Sequence, residues 1–217
     1  MRFIISEEII MKQFITCEIP DHLIKMGQEK RFPKGSNIFK VGESISRCYY
    51  ICSGAVKIYI DHENGRRSIL DFAGREDWLG ELSIFCNEDF TKENKVVDDI
   101  CCLEFDLEVI RNMCKKDAEV SFYFASYISS KLMARSFRLS EYLNYSLEKR
   151  LASFILTHHK EGLYGISHTD VSEYMNVSYR HILFVMKKFC DEGIMKKEKG
   201  YFIADYKRLQ EIAERSE

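Results

Sequence analysis

From Phe32 to about Phe105, apolar residues fall in short β-like runs: "FPKGSNIFKVGE", "CYYICSGAVKIYID", "ENGRRSILDFAG" and "EDWLGELSIF". Glycines at 35, 42, 54, 65, 74 and 80 punctuate these runs at intervals of 6 to 12 residues. Asn64-Gly65, between "VKIYI" and "RRSILDF", is a hairpin signal, because tight turns between twisted strands need positive φ. Many short strands divided by glycines, with no long helical stretch between them, predict an antiparallel roll or barrel. The polar segment "NEDFTKENK" (87–95) predicts an exposed loop before a last strand, "VVDDICCLEF".

After Asp106 the period becomes helical. "LEVIRNMCKKD" predicts a short helix, and the stretch from Ala118 to Asn144, free of Gly and Pro, predicts a long one. Phe124, Ile128, Leu132, Leu139 and Leu143 recur at heptad-like spacing, with Arg135 and Ser136 where the next apolar residue would fall. Such a stripe packs on a second helix, a twin in another chain, or else on the chain's own roll. The polar break is a device for fixing pairing or admitting a ligand.

Residues 147–217 carry an amphipathic helix ("LEKRLASFILTHH"), a short helix ("HTDVSEYM"), a further helix over 178–190, a hairpin ("IMKKEKGYFIAD") and a terminal helix ("YKRLQEIAERS"). That order is helix, helix–turn–helix and β-wing. The whole chain is therefore expected to be α+β: an antiparallel β-roll with short flanking helices over 1–117, a dimerisation helix over 118–145, and a winged helix–turn–helix over 146–217. The roll would resemble a cupin-like jelly roll.

Within the helix pair, Ser167 stands three residues before Asp170 and predicts a capped helix starting at His168. Val171 and Met175 face the core, and small Ser172 lets a second helix cross closely. Asn176 suits a turn position with positive φ. Ser178 caps the next helix, whose inward stripe is Ile182, Val185, Met186 and Phe189. Tyr179, Arg180, His181, Lys187 and Lys188 are left outside. In a DNA-reading helix–turn–helix the start of the second helix meets base edges in the major groove. Arg grips guanine with two donors, and His and Tyr bond bases or phosphates. Hydroxyls of Ser167 and Ser178, backbone N–H groups and Lys187 hold phosphates.

Composition narrows the field without naming a function. A chain of 217 residues, 46% hydrophobic and 13% aromatic, builds real cores and is not disordered. Its apolar runs fall far short of the roughly 20 residues that span a bilayer. The start, "MRFIISEEIIMKQF", mixes acids into its apolar stretch and offers no small-residue cleavage site, so no signal peptide, no membrane partner and a cytoplasmic location are expected. Residues 147–217 hold 12 Lys+Arg against 11 Asp+Glu, too even to argue for nucleic acid by charge alone.

Eight cysteines, at 17, 48, 52, 86, 101, 102, 114 and 190, contain no CxxC pair. Cys48 and Cys52 share a strand face but lie about 13 Å apart at ~3.3 Å per residue, too far for one tetrahedral ion. Cys101 and Cys102 point to opposite faces, and His158-His159 is poorly placed for joint chelation. Small buried thiols are the expectation, with iron–sulfur or redox chemistry requiring partners distant in sequence to converge. No metal site is assigned.

Taken with its motifs, the order of elements resembles the Crp/Fnr family of bacterial transcription regulators, most closely the YeiL-like branch. The resemblance runs from about Phe32 to Asp205 and rests on "YYICSGAVKIYI" (49–60), "WLGELSIF" (78–85) and "DVSEYMNVSYRHILFVMKKFCDEGIM" (170–195). It implies a homodimer on a pseudo-palindromic DNA operator, an effector in the roll, and RNA polymerase as a further partner. The DNA-binding residues it implies are Ser167, His168, Thr169, Ser178, Tyr179, Arg180, His181, Phe184, Lys187 and Lys188.

Gly80 and Glu81 match the pair lining the effector pocket of cyclic-nucleotide members, and with Leu82, Thr91, Lys92, Arg135 and Ser136 form the candidate effector pocket. Thr91 and Lys92 stand where those members carry the Arg-Ser that binds the cyclic phosphate. Lacking that bidentate clamp, the chain is not expected to bind cyclic AMP, although Lys92 or Lys95 offers a point charge for an anion. Cys17 stands alone, without the cysteine cluster of iron–sulfur members, and no residue argues for haem. The effector is unidentified.

The family's Arg-Glu-Thr…Arg reading pattern becomes Tyr179, Arg180, His181 and Phe184, which predicts a different operator with guanine preferred at Arg180. Two alternatives share the fold: a redox- or iron–sulfur-responsive regulator, and a sensor or interaction module that binds no DNA. A cupin-like enzyme needs a His and carboxylate cluster inside the barrel, where the roll offers only His62 in "DHENG". No enzyme is expected.

Overall fold

A computed structural model describes residues 18–65, 67–88 and 92–215. Helix α1 (Asp21–Met26) leads into strands β1 (Gln28–Phe32), β2 (Arg47–Asp61), β3 (Arg67–Ala73), β4 (Trp78–Leu79) and β5 (Glu93–Asp106). The strands are paired antiparallel in the order β1-β5-β2-β3, with β4 on β2. The fold is the expected α+β roll, although its first strand starts at Gln28, ahead of the apolar runs. Its residues, "QEKRF", are mostly polar because the strand lies at an exposed edge.

Strand β2 reads as one apolar run but is bent by bulges between Ile51 and Val56. Gly54 makes the bend possible. It takes φ +97°, and a Cβ there would lie 2.2 Å from the Asp99 carbonyl oxygen. Ile38, Phe39, Tyr49, Ile51, Val56, Ile58, Leu79, Val96 and Ile100 close the interior. The β2–β3 hairpin falls where Asn64-Gly65 predicts it. Gly65, not Asn64, takes positive φ (75°), because the loop is longer than the two-residue turn.

The polar segment 87–95 differs from expectation, since β5 already begins at Glu93. In β5 the Glu93 side chain and the Asn94 backbone are held by neighbours, while Lys95 faces water. Glu93 accepts from Asn37 (3.1 Å) and pairs with Arg67 (2.7 Å), while the Asn94 backbone bonds Phe39 (3.0 Å) and Ile38 (2.9 Å).

Helix α2 (Leu107–Lys116) is capped by Asp106, which accepts from the Glu108 and Val109 amides. Helix α3 spans Ala118–Asn144, as predicted. Packing divides the described residues into two units, one ending at Ser129 and the next beginning at Ser130. The division falls inside α3 and not at its start, because the helix's first turns belong to the roll. Trp78 is fully buried there, its indole N–H donating to the Tyr123 hydroxyl and its backbone N–H to the Tyr127 hydroxyl, both at 2.8 Å. A buried indole N–H without an acceptor is costly, so these bonds fix the docking.

This packing corrects one member of the proposed dimer stripe. Phe124 is fully buried with its ring 5.0 Å from Trp78, so it serves its own roll and is not free for a partner helix. Ile128 is half-buried. Leu132, Leu139 and Leu143 are 65%, 59% and 77% exposed, leaving the stripe open only in the second half of α3.

The second unit contains α4 (Leu147–His158), β6 (Leu163–Tyr164), α5 (His168–Tyr174), α6 (Tyr179–Asp191), β7 (Met195–Lys197), β8 (Tyr201–Ile203) and α7 (Tyr206–Glu214). Its sheet runs β6-β8-β7. Strand β6 has no counterpart in the sequence reading, being two residues long and without alternation to betray it. Leu151, Ile155, Val171, Ile182, Phe189, Ile194 and Leu209 are fully buried and form the centre of this unit.

Candidate nucleic-acid interface and effector roll

The helix pair α5–α6 is built by two caps and one turn. The Ser167 hydroxyl accepts the Asp170 amide (3.2 Å) and donates to the Asp170 carboxylate (2.6 Å), which commits it to the cap. After α5 the chain turns at Asn176, whose φ of 51° confirms the left-handed position, and the Val177 amide donates to the Ser172 carbonyl (3.0 Å). Ser178 then accepts the His181 amide (3.2 Å) and starts α6. The remaining first-turn amides of a helix lack intrahelical acceptors and favour anions.

Along α6, Ile182, Val185, Met186 and Phe189 are buried, as the spacing predicts. The opposite face is open. Tyr179, Leu183 and Phe184 are 48%, 38% and 64% exposed, and Arg180, His181 and Lys187 are exposed with them. Thr169 is exposed at the start of α5.

Besides Ser167, two further residues assigned to DNA are engaged otherwise. Lys188 forms a double contact with Glu148 of α4 (2.7 and 2.8 Å), bracing the helix to its own domain. His168 lies half-buried, its ring 5.1 Å from Tyr201 and 6.3 Å from Tyr179. Burial, reinforced by Lys197, lowers its proton affinity below the usual value of 6.5 and favours the neutral ring.

The wing adds residues the sequence reading missed. Lys196, Lys197 and Lys199 are exposed on the β7–β8 hairpin, with Lys196 paired to Glu198 (2.7 Å) and Lys197 above Tyr201 (5.7 Å). The Lys-rich "KKEKG" was the available signal, but alternating lysines also mark an ordinary solvated hairpin. Equally missed was the tie between α3 and α5. Arg138 donates to the Tyr174 hydroxyl (2.9 Å) with its guanidinium 5.0 Å from that ring, and the Tyr142 hydroxyl donates to the Tyr174 carbonyl (2.8 Å). Arg150 stacks on Tyr142 (4.8 Å) and donates to the Tyr145 carbonyl (3.2 Å).

In the roll, Gly80 takes φ +83°, and a Cβ there would lie 2.9 Å from the Arg47 carbonyl oxygen and 3.2 Å from the Phe39 ring. It starts a single 3-10 turn over Glu81–Ile84 instead of continuing a strand. Glu81 is buried and Leu82 half-buried. Lys92, offered as a point charge for an anion, is ion-paired with Glu88, which also accepts from Ser83 (3.1 Å). Lys95 is exposed, and Thr91 lies outside the described residues. In α3, Arg135 is half-buried, while the Ser136 hydroxyl donates back to the Leu132 carbonyl (2.8 Å).

The cysteine pattern gives no cluster among the described residues. No group of three or more His, Cys, Asp and Glu side chains is placed to hold a metal. Cys48 and Cys102 are buried, and burial pushes both thiols up to about 12. Cys17 lies outside the described residues. Among the described residues no helix is long and apolar enough to cross a membrane.

Comparison with known proteins gives two matches in register with these two units. Residues 29–117 match the cyclic nucleotide-binding domain, and residues 149–212 match the Crp-like helix-turn-helix domain. The chain belongs to the Crp/Fnr family. It is thus a DNA-binding transcription regulator and not an enzyme. Among its Crp/Fnr relatives, the regulatory protein YeiL of Escherichia coli O157:H7 is 29% identical over 177 residues, covering 81% of each chain. A CRP-like cAMP-activated global transcriptional regulator of Mycobacterium tuberculosis is 25% identical over 198 residues, covering 86% of this chain and 88% of the relative. A Crp/Fnr-family regulator from Eubacterium rectale has the same fold, with a TM-score of 0.77, 21% identity and 94% of each chain covered.

Proposed function

We propose that this Crp/Fnr regulator acts as a homodimer that reads a pseudo-palindromic operator through α6. The exposed head of Tyr179, Arg180, His181 and Phe184, opposite a fully buried stripe, is the observation that carries the reading. Arg180 stands at the start of α6, where a recognition helix meets base edges, and its two donors match guanine. Thr169, Ser178 and Lys187 remain open to phosphates, as do Lys197 and Lys199 of the wing. Leu132, Leu139 and Leu143 supply an apolar seam for a second copy, which sets two heads about 34 Å apart, one turn of DNA.

In this reading the roll over 1–117 senses, the segment 118–145 containing α3 dimerises, and residues 146–217 bind DNA in the cytoplasm. Recruitment of RNA polymerase is the step that follows. An effector held by the roll would lie against Gly80, Glu81 and Leu82. Glu88 already neutralises Lys92, which argues for a ligand other than a cyclic phosphate.

Selection of operators from a random duplex pool, followed by binding in increasing salt, tests the reading. Retention that falls steeply with salt and a selected two-fold motif are expected. Arg180→Ala should weaken the selected site about 10- to 100-fold and relax the preference for one guanine per half-site. A protein that selects no motif, or whose Arg180→Ala variant binds with unchanged preference, is not the reader described.

A further inference from the structure

Helix α6 exposes more apolar surface than its own fold requires. Its core contacts are completed by Ile182, Val185, Met186 and Phe189, all buried, yet Phe184 is 64% exposed and Leu183 is 38% exposed beside it. Phe184 is the most exposed large apolar side chain of this helix, so its ring is available for contact. This surface is continuous with the DNA-reading head, because Arg180 and Phe184 are four residues apart and so lie on one helix face. Exposed Arg180, His181 and Lys187 surround it with hydrogen-bond donors suited to a polyanion and ill-suited to a dry protein interface.

We infer that Phe184 reads a thymine, its ring packing on the C5-methyl group in the major groove. The inference rests on the operator reading above and names the base class at a second position. Phe has no donor or acceptor, so it distinguishes bases only through apolar contact. In the major groove the thymine methyl is the one apolar feature that a base edge presents. A donor at this position would favour guanine, whereas Phe184 disfavours any base that leaves a polar edge unpaired against its ring.

The geometry also fixes the spacing. Four residues of helix advance about 6 Å, and successive base pairs rise about 3.4 Å. The guanine under Arg180 and the thymine under Phe184 therefore lie one to two base pairs apart in each half-site. This is a narrower motif than Arg180 alone predicts.

Replacing thymine by deoxyuridine removes the methyl group and leaves pairing unchanged, so it isolates the contact. With the full chain and its selected operator, each thymine is replaced in turn and affinity is measured. One symmetric position per half-site should respond, weakening binding about fourfold per half-site and about 15-fold when both are replaced. Phe184→Ala should lower affinity for the thymine operator and abolish the difference between thymine and deoxyuridine. Phe184→Leu, still apolar, should preserve part of it. Unchanged non-specific retention at low salt would show that the variants remain folded. If wild type binds its selected operator equally with thymine or deoxyuridine everywhere, or if Phe184→Ala keeps the methyl dependence, the assignment to Phe184 is wrong while the operator reading stands. If no operator is selected at all, the operator reading itself fails first.

Discussion

The turn before β5 in the roll and the outer face of α6 are treated in opposite ways by the same chain. In the roll, Lys92 is paired with Glu88, Ser83 donates to the same carboxylate, and Glu93 takes both Asn37 and Arg67. On α6, Arg180, His181 and Phe184 are held at the surface by a buried stripe on the opposite side. The first place spends its charges internally; the second keeps its side chains available. Within one family scaffold, the turn before β5 has closed around its own ion pairs while the outer face of α6 stays open.

The sharpest test of this contrast lies on α6 itself. Ile182→Ala should destabilise the protein by about 2–5 kcal/mol, because it opens a cavity in a close-packed core. Phe184→Ala on the other face should change stability by no more than about 0.5 kcal/mol. Chemical denaturation of both variants checks this, and comparable losses would mean the outer face is not open. A smaller effect is expected in the roll, where Glu88→Gln removes the counter-ion of Lys92 and should cost about 1 kcal/mol. The freed ammonium should then make thermal stability rise with inorganic phosphate. If the wild type is stabilised by phosphate just as much, the roll is not closed to anions.

The smallest effect concerns His168. Its folded-state proton affinity is lowered below 6.5, chiefly by burial. The unfolded chain therefore takes up the proton first as pH falls. Stability from the neutral ring is complete above about pH 6.5 and declines below it. Proton uptake on unfolding, followed between pH 7.5 and 5, should be reduced in His168→Gln. An unchanged profile would remove His168 from the account.

Much of this was legible in the sequence where one local rule settled the outcome. Asn176 suits a left-handed turn, Ser178 is a cap, and a 3.6-residue period separates Ile182 from Phe184. Those rules involve neighbours within a turn or two. The misreadings came from contacts between residues far apart in the chain. Phe124 obeys the heptad spacing of a dimer stripe, but Trp78, 46 residues earlier, claims it. Lys188 belongs to a run of exposed-looking lysines until Glu148 is placed beside it. Residues 93–95 look like loop because backbone pairing with β2, and not hydrophobicity, holds them in the strand. Tyr174 carried no signal, since its value lies in receiving Arg138 and Tyr142 from another helix.

Trp78 is the chain's sole tryptophan, and it is sealed where the roll meets the first turns of α3. That makes the protein its own optical probe. Indole emission shifts with local polarity and with the bond to Tyr123, so a change in fluorescence on adding a small molecule would come from this joint. Because α6 and the wing carry no tryptophan, the colour of the emitted light reports on the roll and not on them.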